Sequence, residues 1–251
     1  MLELLTATTL DLGRSAARHG AGLFETIRIE GGRPLRLGLH LARLRRGLAF
    51  LGMEEAPEEG ALRAFLQAET GASALDLGAL RLIAVDDKLL AWAEPLAEEG
   101  AGPVKVAIAL GFRRSSTSPL NRHKTLAYLE NNLLLRQARA EGVYELLALN
   151  EHERLTDGSR TTVLALLERA WVTPPVEDGA LPGTLRALLL EAGLVREEPI
   201  GLKELRRARA LVLANALREL VPVGELADGQ SLDPEPRSLA DLRAAVAESK
   251  R

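Results

Sequence analysis

From Leu23 to Glu30 the chain reads Leu-Phe-Glu-Thr-Ile-Arg-Ile-Glu. Its apolar positions recur every second residue, which is the period of a half-buried strand. Gly31-Gly32 follows as a hairpin signal, with a short strand expected over Pro34 to Leu37. The period then changes. Leu41, Leu44, Leu48 and Leu51 share one helical face, which predicts a helix from about Leu39 to Leu51. A second helix is expected over Gly60 to Glu69. Ala79 to Val85 and Lys88 to Glu94 form a second hairpin across Asp86-Asp87, and Val104 to Leu110 is a further strand. Leu2 to Thr9 is a candidate first strand, and Leu12 to Gly22 a loop or short helix.

Phe112 to Asn121 breaks the pattern with Phe-Arg-Arg-Ser-Ser-Thr-Ser-Pro-Leu-Asn, the composition of a linker. Beyond it, Leu126, Leu129 and Leu133 recur at helical spacing, with Thr125 as an N-cap candidate. Lys124 would then stand just before a helix and near a core. Both surroundings disfavour the ammonium form, as a nucleophilic or Schiff-base lysine requires. The stretch alone also fits a solvated surface lysine. Strands are expected at Glu145 to Leu149, Val163 to Leu167, Trp171 to Thr173, Ala210 to Ala214 and Val221 to Leu226, with Glu198 to Ile200 extended. Helices are expected after Gly183-Thr184, with Leu185, Leu188, Leu189 and Ala192 on one face, and over Leu202 to Arg207 and Ser238 to Glu248. Hairpins mixed with strand–helix alternation predict an α+β or α/β protein of two domains. The division expected is 1–111, a linker at 112–121, and 122–251.

Composition narrows the function classes. The 251 residues carry a net charge of −3, which gives no support for a nucleic-acid partner. Cysteine is absent, so disulfides, thiolate catalysis and cysteine metal sites are excluded. Four histidines, none at metal-ligand spacing, leave no metal site expected. No apolar run has the length of a membrane span, and the N-terminus lacks a signal-peptide pattern, so a cytoplasmic protein is expected.

Four local features could hold a phosphorylated ligand. Gly183-Thr184 opens a helix, where free N–H groups and a hydroxyl favour phosphate. Asn215-Ala216-Leu217 follows a strand of small and aliphatic residues, where backbone N–H groups can approach an anion. Arg43 lies at the edge of an apolar helical face and could reach a phosphate in bidentate fashion. Asp157 sits in a Gly/Ser/Thr-rich turn and could pair with a ring nitrogen or cap the turn. Each also has an ordinary structural role, as a turn, a cap or a solvated arginine.

Their order along the chain carries more information than any one of them. Gly22-Leu23-Phe24-Glu25-Thr26-Ile27-Arg28, His40-Leu41-Ala42-Arg43-Leu44, Ser118-Pro119-Leu120 with His123-Lys124-Thr125-Leu126, Thr156-Asp157-Gly158-Ser159, Gly183-Thr184 and Asn215-Ala216-Leu217 occur in sequence. In this the chain resembles the class IV, fold-type-IV pyridoxal-phosphate (PLP) enzymes from about Arg14 to Val223. The family includes branched-chain and D-amino-acid aminotransferases and aminodeoxychorismate lyases. Ser-Pro-Leu, Tyr128-Leu129-Glu130-Asn131 and Asn-Ala-Leu look most like the lyases.

The resemblance implies a small N-terminal α+β domain and a larger C-terminal pseudo-barrel domain, similar to D-amino-acid aminotransferase. It implies PLP as cofactor, an active site between the domains, and a homodimer acting on a small molecule. Lys124 would be the Schiff-base lysine and proton shuttle. Asp157 would stand where the family has a glutamate at the pyridine nitrogen. Arg43, Gly183, Thr184, Asn215 and the backbone of Ala216 and Leu217 would hold the phosphate. Arg28, Arg114 and Arg122 are candidates for substrate carboxylates. The implied reaction takes 4-amino-4-deoxychorismate to 4-aminobenzoate and pyruvate, in folate biosynthesis. Amino-group transfer on branched-chain or D-amino acids, and a cofactor-free, non-catalytic relative, are the alternatives. Asp157 is one methylene shorter than the family's glutamate. Ala21, Ala127 and Thr162 also depart from the family pattern.

Overall fold

The computed structural model describes residues 1–6, 16–96 and 102–250. The chain divides into two compact units. One is Met1–Glu99 with His123–Tyr128, and the other is Gly100–Arg122 with Leu129–Arg251.

The first unit contains β1 (Glu3–Thr6), β2 (Leu23–Glu30), β3 (Arg33–Pro34), α1 (Leu37–Leu51), α2 (Glu59–Ala72), β4 (Leu77–Val85) and β5 (Lys88–Pro95). Its sheet has the order β1-β5-β4-β2-β3, with β1 parallel to β5 and the other pairs antiparallel. Residues 7–9 of the expected first strand, and 12–15 of the expected loop, lie outside the described residues. Ala16–His19 forms a 3₁₀ turn. The β2 expectation holds to the residue, and its buried positions are Leu23, Glu25, Ile27 and Ile29. Gly31 and Gly32 both have positive φ (59° and 67°), as the primed turn of a two-residue hairpin needs. The short strand β3 ends at Pro34 rather than Leu37. Leu41, Leu44 and Leu48 of α1 and Leu62 and Leu66 of α2 are buried in one core with β2, β4 and β5. Each such leucine contributes roughly 1.5–3 kcal/mol by leaving water.

Residues 123–128 depart from the expected helix. Thr125 bridges antiparallel to Leu23. The Phe24 N–H donates to the Lys124 carbonyl (2.9 Å), and the Leu126 N–H donates to the Gly22 carbonyl (2.9 Å). The segment therefore extends the start of β2, and Thr125 caps no helix. A Cβ on Gly22 would meet the Ala84 carbonyl oxygen and Leu126 Cδ1, each at 2.7 Å, so this close approach requires glycine. The helix α3 begins only at Leu129 (Leu129–Ala140). Its buried residues are Leu134 and Ala138, while Leu129 (69%) and Leu133 (52%) are exposed, contrary to the expected face.

The second unit adds β6 (Val104–Arg114), β7 (Glu145–Asn150), β8 (Thr162–Leu167), β9 (Ala170–Thr173), α4 (Thr184–Glu191), β10 (Val195–Glu197), α5 (Leu202–Arg207), β11 (Ala210–Asn215), β12 (Glu219–Leu226) and α6 (Leu239–Glu248). The sheet order is β10-β9-β8-β11-β12-β6-β7. The segment expected to be extended, Glu198 to Ile200, directly follows a strand not expected from the sequence, β10. The expected linker at 112–121 begins inside β6, whose Arg113 and Arg114 pair with Leu149 and Asn150 of β7. These pairings place β6 in the second unit's sheet rather than in a domain ending at 111, while 123–128 joins the first unit. One apolar cluster joins β8, β11 and β12 to α5, and another packs α4 and α6 on the sheet. Among the described residues no helix is long and apolar enough to cross a membrane.

Candidate active site

The residues singled out by the sequence are divided between the two units. In the first, β2 and α1 position a buried triad. Glu25 occupies an inward position of β2, so its carboxylate enters the core beside α1. Arg43 on α1 clasps it in bidentate fashion, donating from Nε to Oε1 (2.7 Å) and from Nη2 to Oε2 (2.6 Å). His40, one turn earlier, lies 2.7 Å from Oε2 through Nδ1. Glu25 and His40 are each 1% exposed. Burial would raise the Glu25 carboxyl, but Arg43 and His40 outweigh it and hold it down to about 2. Burial pushes His40 below its usual range, and the nearby Arg43 and Lys124 charges add to this against Glu25. The imidazole is therefore neutral at pH 7, with its Nδ1–H assigned as donor to Glu25.

Lys124 is half-buried, and its extended segment presents it to two rings. Its Nζ lies 4.1 Å from the Phe24 ring centroid and 5.0 Å from that of Tyr128. The rings meet edge to face at 5.0 Å. Such a seat is worth about 0.5–2 kcal/mol for an ammonium and fixes where the amine stands. The neighbouring His123 stacks on Phe50 of α1 with centroids 4.1 Å apart.

In the second unit Asp157 lies on the turn between β7 and β8. Its Oδ2 accepts the Leu181 N–H (2.5 Å), and Arg114 Nη1 of β6 stands 3.8 Å from the same oxygen. Its Oδ1 is buried without a hydrogen-bond partner among the described residues. Burial pushes the carboxyl up to about 6, against the opposing pull of Arg114, the Leu181 N–H and Arg186. Nearby, Glu145 on β7 accepts from Ser159 Oγ (2.6 Å), the Arg160 N–H (2.7 Å) and Thr161 Oγ1 (2.7 Å). Thr184 is the first residue of α4, and Gly183 is its extended N-cap. Asn215 Oδ1 accepts the N–H groups of Leu217 (3.0 Å) and Arg218 (2.8 Å), which shapes the Ala216-Leu217 turn between β11 and β12.

The three substrate-arginine candidates stand on different elements. Arg28 on β2 donates to Glu30 (2.8 Å), Arg114 is buried beside Asp157, and Arg122 is exposed at the end of a 3₁₀ turn. Glu25, His40, Phe24, Tyr128 and Glu145 carry geometry to which the sequence reading assigned no role. For Glu25 a signal existed, because it shares the inward parity of Leu23, Ile27 and Ile29. Glu145 opens a strand buried on both faces, where no alternation marks a side. Among the described residues no group of three or more His, Cys, Asp or Glu could hold a metal ion.

The amino-transferase class IV family profile matches residues 22–226, and the chain belongs to that family. A provisionally assigned branched-chain-amino-acid aminotransferase of Methanocaldococcus jannaschii is 32% identical over 133 residues, 51% of this chain, and the match spans just under half (46%) of that relative. A bifunctional aminodeoxychorismate lyase and D-amino acid transaminase of Mycobacterium tuberculosis is 26% identical, over 77% of this chain and 75% of its own. Among solved structures, a provisionally assigned 4-amino-4-deoxychorismate lyase is 33% identical over 96% of both chains, with a TM-score of 0.77. Another so assigned, from Legionella pneumophila, is 23% identical over 99% of both chains and superposes with a TM-score of 0.90. A hypothetical aminotransferase of M. tuberculosis, 22% identical over 98% of this chain and 95% of its own with a TM-score of 0.82, is known in a PLP-bound form. The fold is thus the fold-type-IV aminotransferase-like fold, a mixed α+β architecture with two mixed sheets.

Proposed function

We propose that the protein is a PLP-dependent lyase that converts 4-amino-4-deoxychorismate to 4-aminobenzoate and pyruvate. The observation that carries the cofactor part of this reading is the Asp157 carboxylate. It is buried, raised to about 6, and has an oxygen with no hydrogen-bond partner among the described residues. A protonated ring nitrogen would supply the missing donor and restore the charged form. Lys124 suits an aldehyde as its chemistry requires, and in the second unit the α4 N-terminus at Gly183-Thr184 and the turn at Asn215-Ala216-Leu217 suit a phosphate. Arg43 stays in this reading as a proposed phosphate ligand, but not through the bidentate fork expected of it, because Nε and Nη2 hold Glu25.

When bound, PLP supplies an electron sink beside the carbon that bears the substrate's nitrogen. Lys124 removes the proton from that carbon. The bond from the ring to the enolpyruvyl oxygen breaks, and Lys124 returns the proton to the departing enolpyruvate to give pyruvate. The ring becomes aromatic, so the step is strongly downhill. Phe24 and Tyr128 keep the amine in reach for both transfers. The relatives that carry lyase names support this choice within the family. Amino-group transfer is the second reading, favoured by the relatives with aminotransferase names. The exposed Leu129 and Leu133, one turn apart on α3, offer apolar surface for the expected homodimer.

The test is a coupled assay on purified protein with PLP, in which a synthase supplies aminodeoxychorismate and both products are followed. Equal appearance of 4-aminobenzoate and pyruvate, lost without PLP, is expected. No product, together with amino-group exchange between amino and 2-oxo acids, would replace the lyase reading by the aminotransferase one.

A further inference from the structure

We propose that Glu145, unused in the chemistry above, is the positioning residue that fixes Asp157 for the cofactor's ring nitrogen. This rests on the reading of Asp157 just given. Glu145 lies on β7 with 0% exposure, and its two oxygens take three donors from the loop that follows Asp157. Oε1 holds Ser159 Oγ and the Arg160 N–H, and Oε2 holds Thr161 Oγ1. An ionised carboxylate accepts all three bonds, which offsets the burial that pushes its pKa up.

The loop has no room to shift towards β7. A Cβ on Gly158 would stand 2.5 Å from Glu145 Cδ, so glycine lets the backbone next to Asp157 lie against the carboxylate. Tyr144, the residue just before β7, adds a second clamp, because the Arg160 guanidinium lies 4.8 Å over its ring. From the other side, Asn131 Nδ2 of α3 donates to the Ser159 carbonyl (2.8 Å). The Gly158 N–H closes the turn on the Thr161 carbonyl (2.8 Å). Residues 158–161 are thus tied to β7 at three points and to α3 at one. Asp157, immediately before them, is held by its carbonyl to the Ala148 N–H, by Oδ2 to the Leu181 N–H and by the longer ion pair to Arg114 at 3.8 Å, all on the Oδ2 side or the backbone. Its aim is inherited from the loop, and the loop's position comes from Glu145.

The experiment measures PLP affinity by equilibrium dialysis and backbone hydrogen exchange over residues 155–165, using the full chain. Glu145→Ala is expected to raise the PLP dissociation constant about tenfold and speed exchange across the loop. Glu145→Gln keeps the shape and an accepting oxygen for the Arg160 N–H, and is expected to stay within about threefold. Leu134→Ala, a core variant on α3, controls for general loss of stability and should leave PLP affinity unchanged. If Glu145→Ala does not fold, Ser159→Ala carries the test in the same direction with a smaller shift. Wild-type affinity in Glu145→Ala, alongside weakened binding in Asp157→Ala, would overturn the proposal and leave the role of Asp157 standing. Wild-type affinity in Asp157→Ala would remove both. Equal weakening in Leu134→Ala would also overturn it.

Discussion

Glu25 and Asp157 are both buried acids on the flanks of a sheet, one in each unit, and their environments drive them in opposite directions. Glu25 is clasped by two guanidinium donors at 2.6 and 2.7 Å and touched by His40, and it is held down to about 2. Asp157 has its arginine at 3.8 Å and one oxygen unmet, and it rises to about 6. Burial opposes the charge in both. What differs is whether the protein completes the charge's partners. A completed acid is a structural tie, whereas an incomplete one is poised for a donor that arrives with a ligand.

Variants can break this contrast at several strengths. Glu25→Ala should have the largest effect. It leaves the Arg43 charge buried without its carboxylate, and a loss of about 3–5 kcal/mol is expected in denaturant unfolding. A loss below 1 kcal/mol would mean that Arg43 finds water. Asp157→Asn should instead leave the fold intact and PLP retained, while turnover falls about a hundredfold, equivalent to roughly 2.7 kcal/mol. Unchanged turnover would show that Asp157 does not serve the ring nitrogen.

The pH dependence of unfolding follows the same opposition. Between about pH 4 and pH 6 the folded protein binds more protons at Asp157 than the unfolded chain does. Stability should therefore fall as pH rises through this window, by about 3 kcal/mol. Glu25 acts at lower pH. Its stabilisation is complete above the unfolded carboxyl value and is lost as pH falls towards 2. Asp157→Asn should flatten the first slope and leave the second, as thermal melts across pH would record. The smallest effect is expected from Thr161→Val, which removes one of three donors to Glu145 and should cost about 1 kcal/mol.

Local periodicity was enough to mark β2, α1 and both hairpins of the first unit, because there the apolar pattern and the turn glycines agree with the final packing. It failed where distant pairing decided the structure. Leu126, Leu129 and Leu133 read as one helical face, yet Leu23 draws Thr125 into an extended bridge and the helix waits until Leu129. Phe112-Arg113-Arg114 reads as linker, yet the edge of β7 keeps it in a strand. The chemistry-bearing types were visible as motifs, whereas their electrostatics were not. The clasp of Arg43 on Glu25, and the missing partner of Asp157, depend on distances that no spacing in the chain encodes.

The bridge between Leu23 and Thr125 also bears on how the protein is made. Its two sides are roughly a hundred residues apart in the chain, so it is a non-local contact that closes a long loop. During synthesis the strands of the first unit emerge well before the lysine's segment can dock on β2. The amine thus reaches its seat over Phe24 and Tyr128 only after residues 100–122, which belong to the other unit, have been made. No single cut of the chain yields a first unit that keeps this lysine without carrying a piece of the second.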